Sequence, residues 1–167
     1  MANDKYLGIY LNDHLAILVA ARELAHRSEE SNQGSPLGKL LSEIRETTEQ
    51  EVSAVRDLMK AHDVTENPTK SAGAWLAERV GRLKLNGQIT GYSDLSRLVE
   101  LEGLDVALEA KRMFWDALEQ SGVERAGELR STEMAGRAVR HLDELQSHRT
   151  AAAKQALGVV ENVSGQS

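Results

Sequence analysis

His14, Glu51, Glu102 and His141 are the residues of this chain whose types and spacing could do chemistry. Imidazole nitrogens and carboxylate oxygens bind divalent transition metals, and together they exchange protons near neutral pH. Their positions group them two by two. His14 lies 18 residues before Asn32, in the polar turn Glu29 to Gly34, and Glu51 lies 19 after it. Glu102 lies 19 residues before Ser121, at a second turn, and His141 lies 20 after it. In an antiparallel helical hairpin, equal separation from the turn means equal height, to within one residue's rise of about 1.5 Å. Each hairpin therefore sets one imidazole against one carboxylate. If the third helix runs parallel to the first, all four share a layer and could hold a metal. If it runs antiparallel, the pairs stand roughly 10 Å apart along the bundle, and each is a polar pair satisfied within apolar packing.

The elements that must position these residues are four long helices. The first starts near Asn3 or Asp4 and runs to about Ser28, with Tyr6, Tyr10, Leu11, Ile17, Leu18 and Leu24 on one stripe. Apolar residues three and four apart make the face of an amphipathic helix, which must pack on other helices. His14 interrupts that stripe, with Asn12 and Asp13 beside it. Ser35-Pro36 opens the second helix as cap and first turn. Its stripe is Leu37, Leu40, Leu41, Ile44, Thr48, Val52, Val55, Leu58 and Met59, ending near His62-Asp63. From Val64 to Gly91 the chain reads as a long crossover carrying a shorter helix, Ala72 to Leu85. Ser93 caps the third helix, whose expected stripe is Leu95, Leu98, Val99, Val106, Met113, Ala117 and Leu118, widened by Phe114 and Trp115. Gly122 ends it. The fourth runs from about Val123 to Leu157, with Ala126, Leu129, Met134, Ala138, Leu142, Leu145, Ala152 and Ala156 inward. One domain covers 1–160, and 161–167 is a flexible tail.

Composition narrows the classes. The 167 residues suit one domain with one sizeable core. Aromatics are 4%, so that core is aliphatic, and two prolines leave room for long helices. A formal net charge of −6 argues against nucleic-acid binding. No apolar run approaches the length of a membrane span, about 20 residues, and the absence of cysteine removes disulfides and thiol chemistry. The expectation is a soluble, cytoplasmic protein. Leu7, Ile9, Leu15 and Val19 fall off the main stripe of the first helix and widen its apolar face, so a homo-oligomer, dimer or larger, is expected.

Two helical hairpins joined by one long crossover resemble the ferritin-like superfamily of four-helix bundles. The resemblance implies an all-α, ferritin-like four-helix bundle, with helix three antiparallel to helix one. In di-iron members, two helices each give a Glu, and helices two and four each give a Glu-x-x-His pair. Here helix two offers Thr48-x-x-Glu51, and helix four offers His141-x-x-Glu144 in reverse order. The one Glu-x-x-His is Glu23 to His26, late in helix one. The di-iron motif is not matched. The expectation is a non-catalytic structural or interaction protein with a degenerate metal site and no cofactor. The alternatives are a divergent iron or manganese protein using His14, Glu51, Glu102 and His141, or a bundle binding an apolar ligand near Trp75, Tyr92 and Trp115.

Overall fold

The computed structural model describes residues 2–67, 92–123 and 130–158. These form four α-helices and no strand: α1 Ala2–Ser31, α2 Pro36–Ala61, α3 Asp94–Ser121 and α4 Ser131–Leu157. The helix expected over Ala72 to Leu85 lies outside the described residues. So do Ala126, Leu129 and the C-terminal tail. None of the helices described is long and apolar enough to cross a membrane.

The helix ends follow local chemistry. Ser35 Oγ accepts from Gly38 N at 3.0 Å, with Pro36 in the first turn, where no N–H is missed. Ser93 Oγ accepts from Ser96 N at 3.0 Å. Gly122 closes α3 in the left-handed region with φ 68°, which glycine adopts without strain. α1 continues to Ser31, a turn beyond the expected end at Ser28, and Asn32 caps the continuation by donating to Ser28 O at 2.7 Å. Val123, expected as the start of the fourth helix, precedes it; α4 begins at Ser131.

α1 packs on α2 and α3, and α4 packs on α3 and α2, around a four-sided core. Each packed pair is antiparallel. Arg22 meets Glu49 and Glu29 meets Arg45 between α1 and α2. Between α1 and α3, Ser28 meets Glu100 while His14 stacks on Phe114. Between α3 and α4, Asp105 meets Arg149 and Arg97 meets Gln155; between α2 and α4, Glu43 meets His141 and Gln50 meets Arg137. Helix three therefore runs against helix one. The connection from α2 to α3 leaves one end of the bundle and arrives at the other. Asn12 pins its start, donating to Thr65 O at 3.1 Å and accepting from Asn67 N at 2.6 Å. At the far end Tyr92 Oη donates to Glu100 at 3.0 Å and accepts from Asn32 at 3.1 Å.

Every residue of the expected α2 stripe is buried. The α3 stripe is corrected. Leu98, Leu101, Leu104, Leu108 and Leu118 face the core, whereas Leu95, Val106, Met113 and Ala117 are exposed. On α1, Leu15 is core and Leu7 and Val19 pack against it, so they do not widen an outer face; Tyr6, expected inward, is exposed. The apolar interior divides into two clusters. One holds Leu24, Leu41, Ile44, Leu104, Leu108 and Leu145. The other holds Leu11, Leu18, Val52, Val55, Phe114 and Met134.

Candidate functional site

Between those two clusters lies a layer of buried polar side chains. On α2, Thr48 and Glu51 follow Ile44 and precede Val52. On α3, Lys111 follows Leu108 and precedes Phe114. On α4, His141 precedes Leu145. Residues three and four apart share a helix face, so Thr48 with Glu51, and Lys111 with Trp115, all turn inward.

Lys111 and Glu51 side chains are 1% and 0% exposed, and Nζ stands 3.2 Å from Oε1. Trp115 Nε1 donates to Glu51 Oε2 at 3.0 Å. Thr48 Oγ1 donates to Ile44 O at 2.6 Å and receives a long contact, 3.5 Å, from Lys111 Nζ. The pair spans the diagonal of the bundle, because α2 and α3 are not packed neighbours. His141 Nε2 lies 3.5 Å from Glu43 Oε1 at the α2–α4 seam, and its Nδ1 is buried with no hydrogen-bond partner among the described residues.

Burial sets the electrostatics of this layer. It pushes the Glu51 carboxyl above its ordinary range, against the pull of the Lys111 ammonium and the Trp115 N–H. It lowers His141, and the Lys111 charge lowers it further while Glu43 pulls the other way. The layer thus disfavours protonated imidazole and tolerates neutral carboxyl.

The four sequence candidates separate. Glu51 is paired with Lys111 and Trp115 rather than with His14. The His14 ring stacks on Phe114 at 4.6 Å between centroids and meets Tyr10 edge-on at 4.5 Å. Burial lowers its pKa, partly offset by Asp13. His141 is set against Glu43 rather than Glu102. Glu102 is half-buried on α3, close enough to Asp105 to raise its carboxyl beyond what burial does. Glu23 and His26 sit at the surface, with Arg22 and Glu30 respectively. The alternative of a pocket near Trp75, Tyr92 and Trp115 finds no such pocket between the last two. Trp115 belongs to the cluster at one end, while Tyr92 closes the other; Trp75 lies outside the described residues.

The arrangement around Glu51 does not fit a di-iron or di-manganese centre. An ammonium already neutralises the carboxylate at contact distance, and a metal there would meet a buried like charge. Among the described residues, no three His, Asp or Glu side chains cluster to hold an ion.

Lys111 is the residue that sequence reasoning missed, and its signal is positional. It occupies the step that the spacing Leu104, Leu108, Trp115, Leu118 reserves for an apolar residue. A second network, at the end where α1 meets α3, was also missed. Buried Ser28 donates to Glu100 at 2.9 Å, Arg27 approaches the same carboxylate at 3.3 Å, and Arg97 lies 5.4 Å over the Tyr92 ring. It joins α1, the end of the crossover and α3.

The fold and the polar layer define an all-α four-helix bundle with an ion pair at its centre. No protein-family model matches the sequence, and comparison with curated proteins and with solved structures finds no match.

Proposed function

We propose that this chain is a non-catalytic structural or interaction protein, built on a ferritin-like bundle in which Lys111 takes the position of a metal. The observation that carries the reading is the 3.2 Å contact between Lys111 Nζ and buried Glu51 Oε1. A charged amine there supplies the positive charge that a bound ion would supply, at no demand for iron or manganese. The antiparallel packing of α1 on α3 and the crossover running from one end of the bundle to the other support the ferritin-like part of the proposal. Self-association belongs to the same reading. It rests on Tyr6 and Ile9, 69% and 41% exposed on α1.

Elemental analysis and light scattering on one preparation test this. The expected result is iron and manganese well below one per chain, with a mass above that of the monomer. Stoichiometric metal that disappears in Glu51→Ala or His141→Ala would overturn the proposal in favour of a divergent metal protein. A monomer mass would remove the self-association.

A further inference from the structure

The outer face of α3 carries a second apolar line that the bundle leaves uncovered. Val106 and Met113 are 54% and 51% exposed. With Ala110 between them, they follow the spacing i, i+4, i+7, two turns or about 10.5 Å of helix. Leu142 of α4 completes the floor of an open groove of about 610 Å³ between the two helices. Asp105, Glu109, Asp143 and Arg149 form its walls.

The walls identify the occupant. Arg149 is taken by Asp105 at 2.6 Å, and Arg112 is shared by Glu109 and Asp116 at 2.6 and 2.7 Å. The wall carboxylates of Asp105, Glu109 and Asp143, with Asp116 beside Arg112, outnumber those two guanidiniums. A second copy docked face to face would bring surplus negative charge against itself. A small apolar ligand would be left open to solvent on one side, unlike the enclosure that small-molecule sites provide. An apolar strip at helical spacing between acidic walls complements a helix with an apolar face and cationic flanks. The chain's net charge of −6 would steer such a helix inward.

We propose that the α3–α4 groove docks a cationic amphipathic helix of a partner protein. This rests on the interaction role proposed above and names its surface and partner chemistry. The test uses the full chain and three fluorescent synthetic peptides of equal length. One is helical with leucines at i, i+3, i+4 and i+7 and lysines on its flanks. One is a shuffled version with the same composition. One carries glutamates in place of the lysines.

Anisotropy should show saturable binding of the first peptide, at least tenfold tighter than either of the others. Met113→Lys and Asp143→Lys should each weaken it at least tenfold, while Ser53→Ala, at an exposed position of α2 away from the groove, leaves it unchanged. Both lysine substitutions are at exposed positions, and circular dichroism confirms that the variants are folded. The proposal is overturned by absence of saturation, by equal binding of the shuffled peptide, or by binding that survives Met113→Lys. It is equally overturned if the free chain is a dimer that Met113→Lys dissociates, since the groove then holds a second copy. The elemental analysis above stands apart from these outcomes: a metal-free chain that ignores the peptide loses the groove proposal alone.

Discussion

Taking an ammonium and a carboxylate out of water costs several kcal/mol for each ion, and their attraction returns it only with good geometry and further hydrogen bonds. Glu51 and Lys111 meet that condition in part. Glu51 has Trp115 as a second partner, whereas Lys111 has only the long contact to Thr48 among its described neighbours. The two single substitutions should therefore differ. Glu51→Gln keeps an acceptor for Trp115 but strands a buried ammonium, and should destabilise by about 3–5 kcal/mol. Lys111→Met leaves a carboxyl whose pKa burial already raises; it can go neutral, so the loss should be smaller, about 1–3 kcal/mol. The double substitution Glu51→Gln with Lys111→Met removes both charges, keeps an acceptor for Trp115 and should fall within about 1 kcal/mol of the parent. Urea unfolding of the cycle checks this, and additive losses would show that the two side chains do not act as a pair. At this scale the sequence exposed His14 as a polar interruption of an apolar stripe and Glu51 as a carboxylate at the border of one. It concealed Lys111, because a lysine is most often a surface residue, and the spacing of Leu104, Leu108, Trp115 and Leu118 was the one sign that it turns inward. It also concealed the role of Asn12 in holding the crossover, because Thr65 and Asn67 lie more than fifty residues away.

Helices α2 and α3 show why some elements were legible and others not. α2 has one apolar stripe, so its core face admits a single reading, and Ser35-Pro36 marks its start by chemistry confined to a few residues. α3 has two stripes on opposite sides. Leu101, Leu104 and Leu108 make one, Val99, Val106 and Met113 the other, and periodicity alone cannot say which is inward. Lys111 tilts the choice the wrong way, by making the true core face look polar. The glycines of the helices separate in the same manner, by what surrounds them. A Cβ on Gly38 would stand 2.3 Å from Asn32 O, a backbone atom held in the α1–α2 turn. Gly38→Ala should therefore destabilise by about 1–3 kcal/mol, through forced displacement of that turn. A Cβ on Gly136 would meet nothing nearer than the Arg140 guanidinium at 4.0 Å. Gly136→Ala should instead stabilise by about 0.5–1 kcal/mol, the ordinary gain of alanine over glycine inside a helix. Thermal unfolding of both variants distinguishes them by sign, and a gain for Gly38→Ala would mean that the turn yields freely.

At the scale of the whole molecule, the bundle is tied by polar clamps at its two ends and a polar layer at its middle, and their titration should set its pH range. His14 and His141 have folded pKa values below the unfolded 6.5. For a lowered group, the folded state binds fewer protons than the unfolded one. Its contribution is present above 6.5 and is lost as pH falls toward the folded value. His141 faces Glu43, Lys111 and Arg140, and His14 faces Asp13; in both cases burial outweighs the acidic neighbour. Glu51 acts in the opposite sense. Its raised pKa favours folding below the unfolded value of 4.5, a contribution lost as pH rises through the folded value. Tyr92, pushed up to about 12 mainly by burial, contributes below its ordinary value of 10, and that contribution is lost toward 12. Stability should thus decline from pH 7.5 to 5.5, when the imidazoles must be charged inside the bundle, and again in strong alkali. Urea midpoints at pH 7.5 and 5.5 measure the first decline directly. The difference between them should shrink in His141→Gln and in His14→Phe, and shrink further when both are combined, whatever each substitution does to stability at pH 7.5. An unchanged difference in the double histidine variant would place the acid sensitivity elsewhere and deny the polar layer its role in the pH range of the fold.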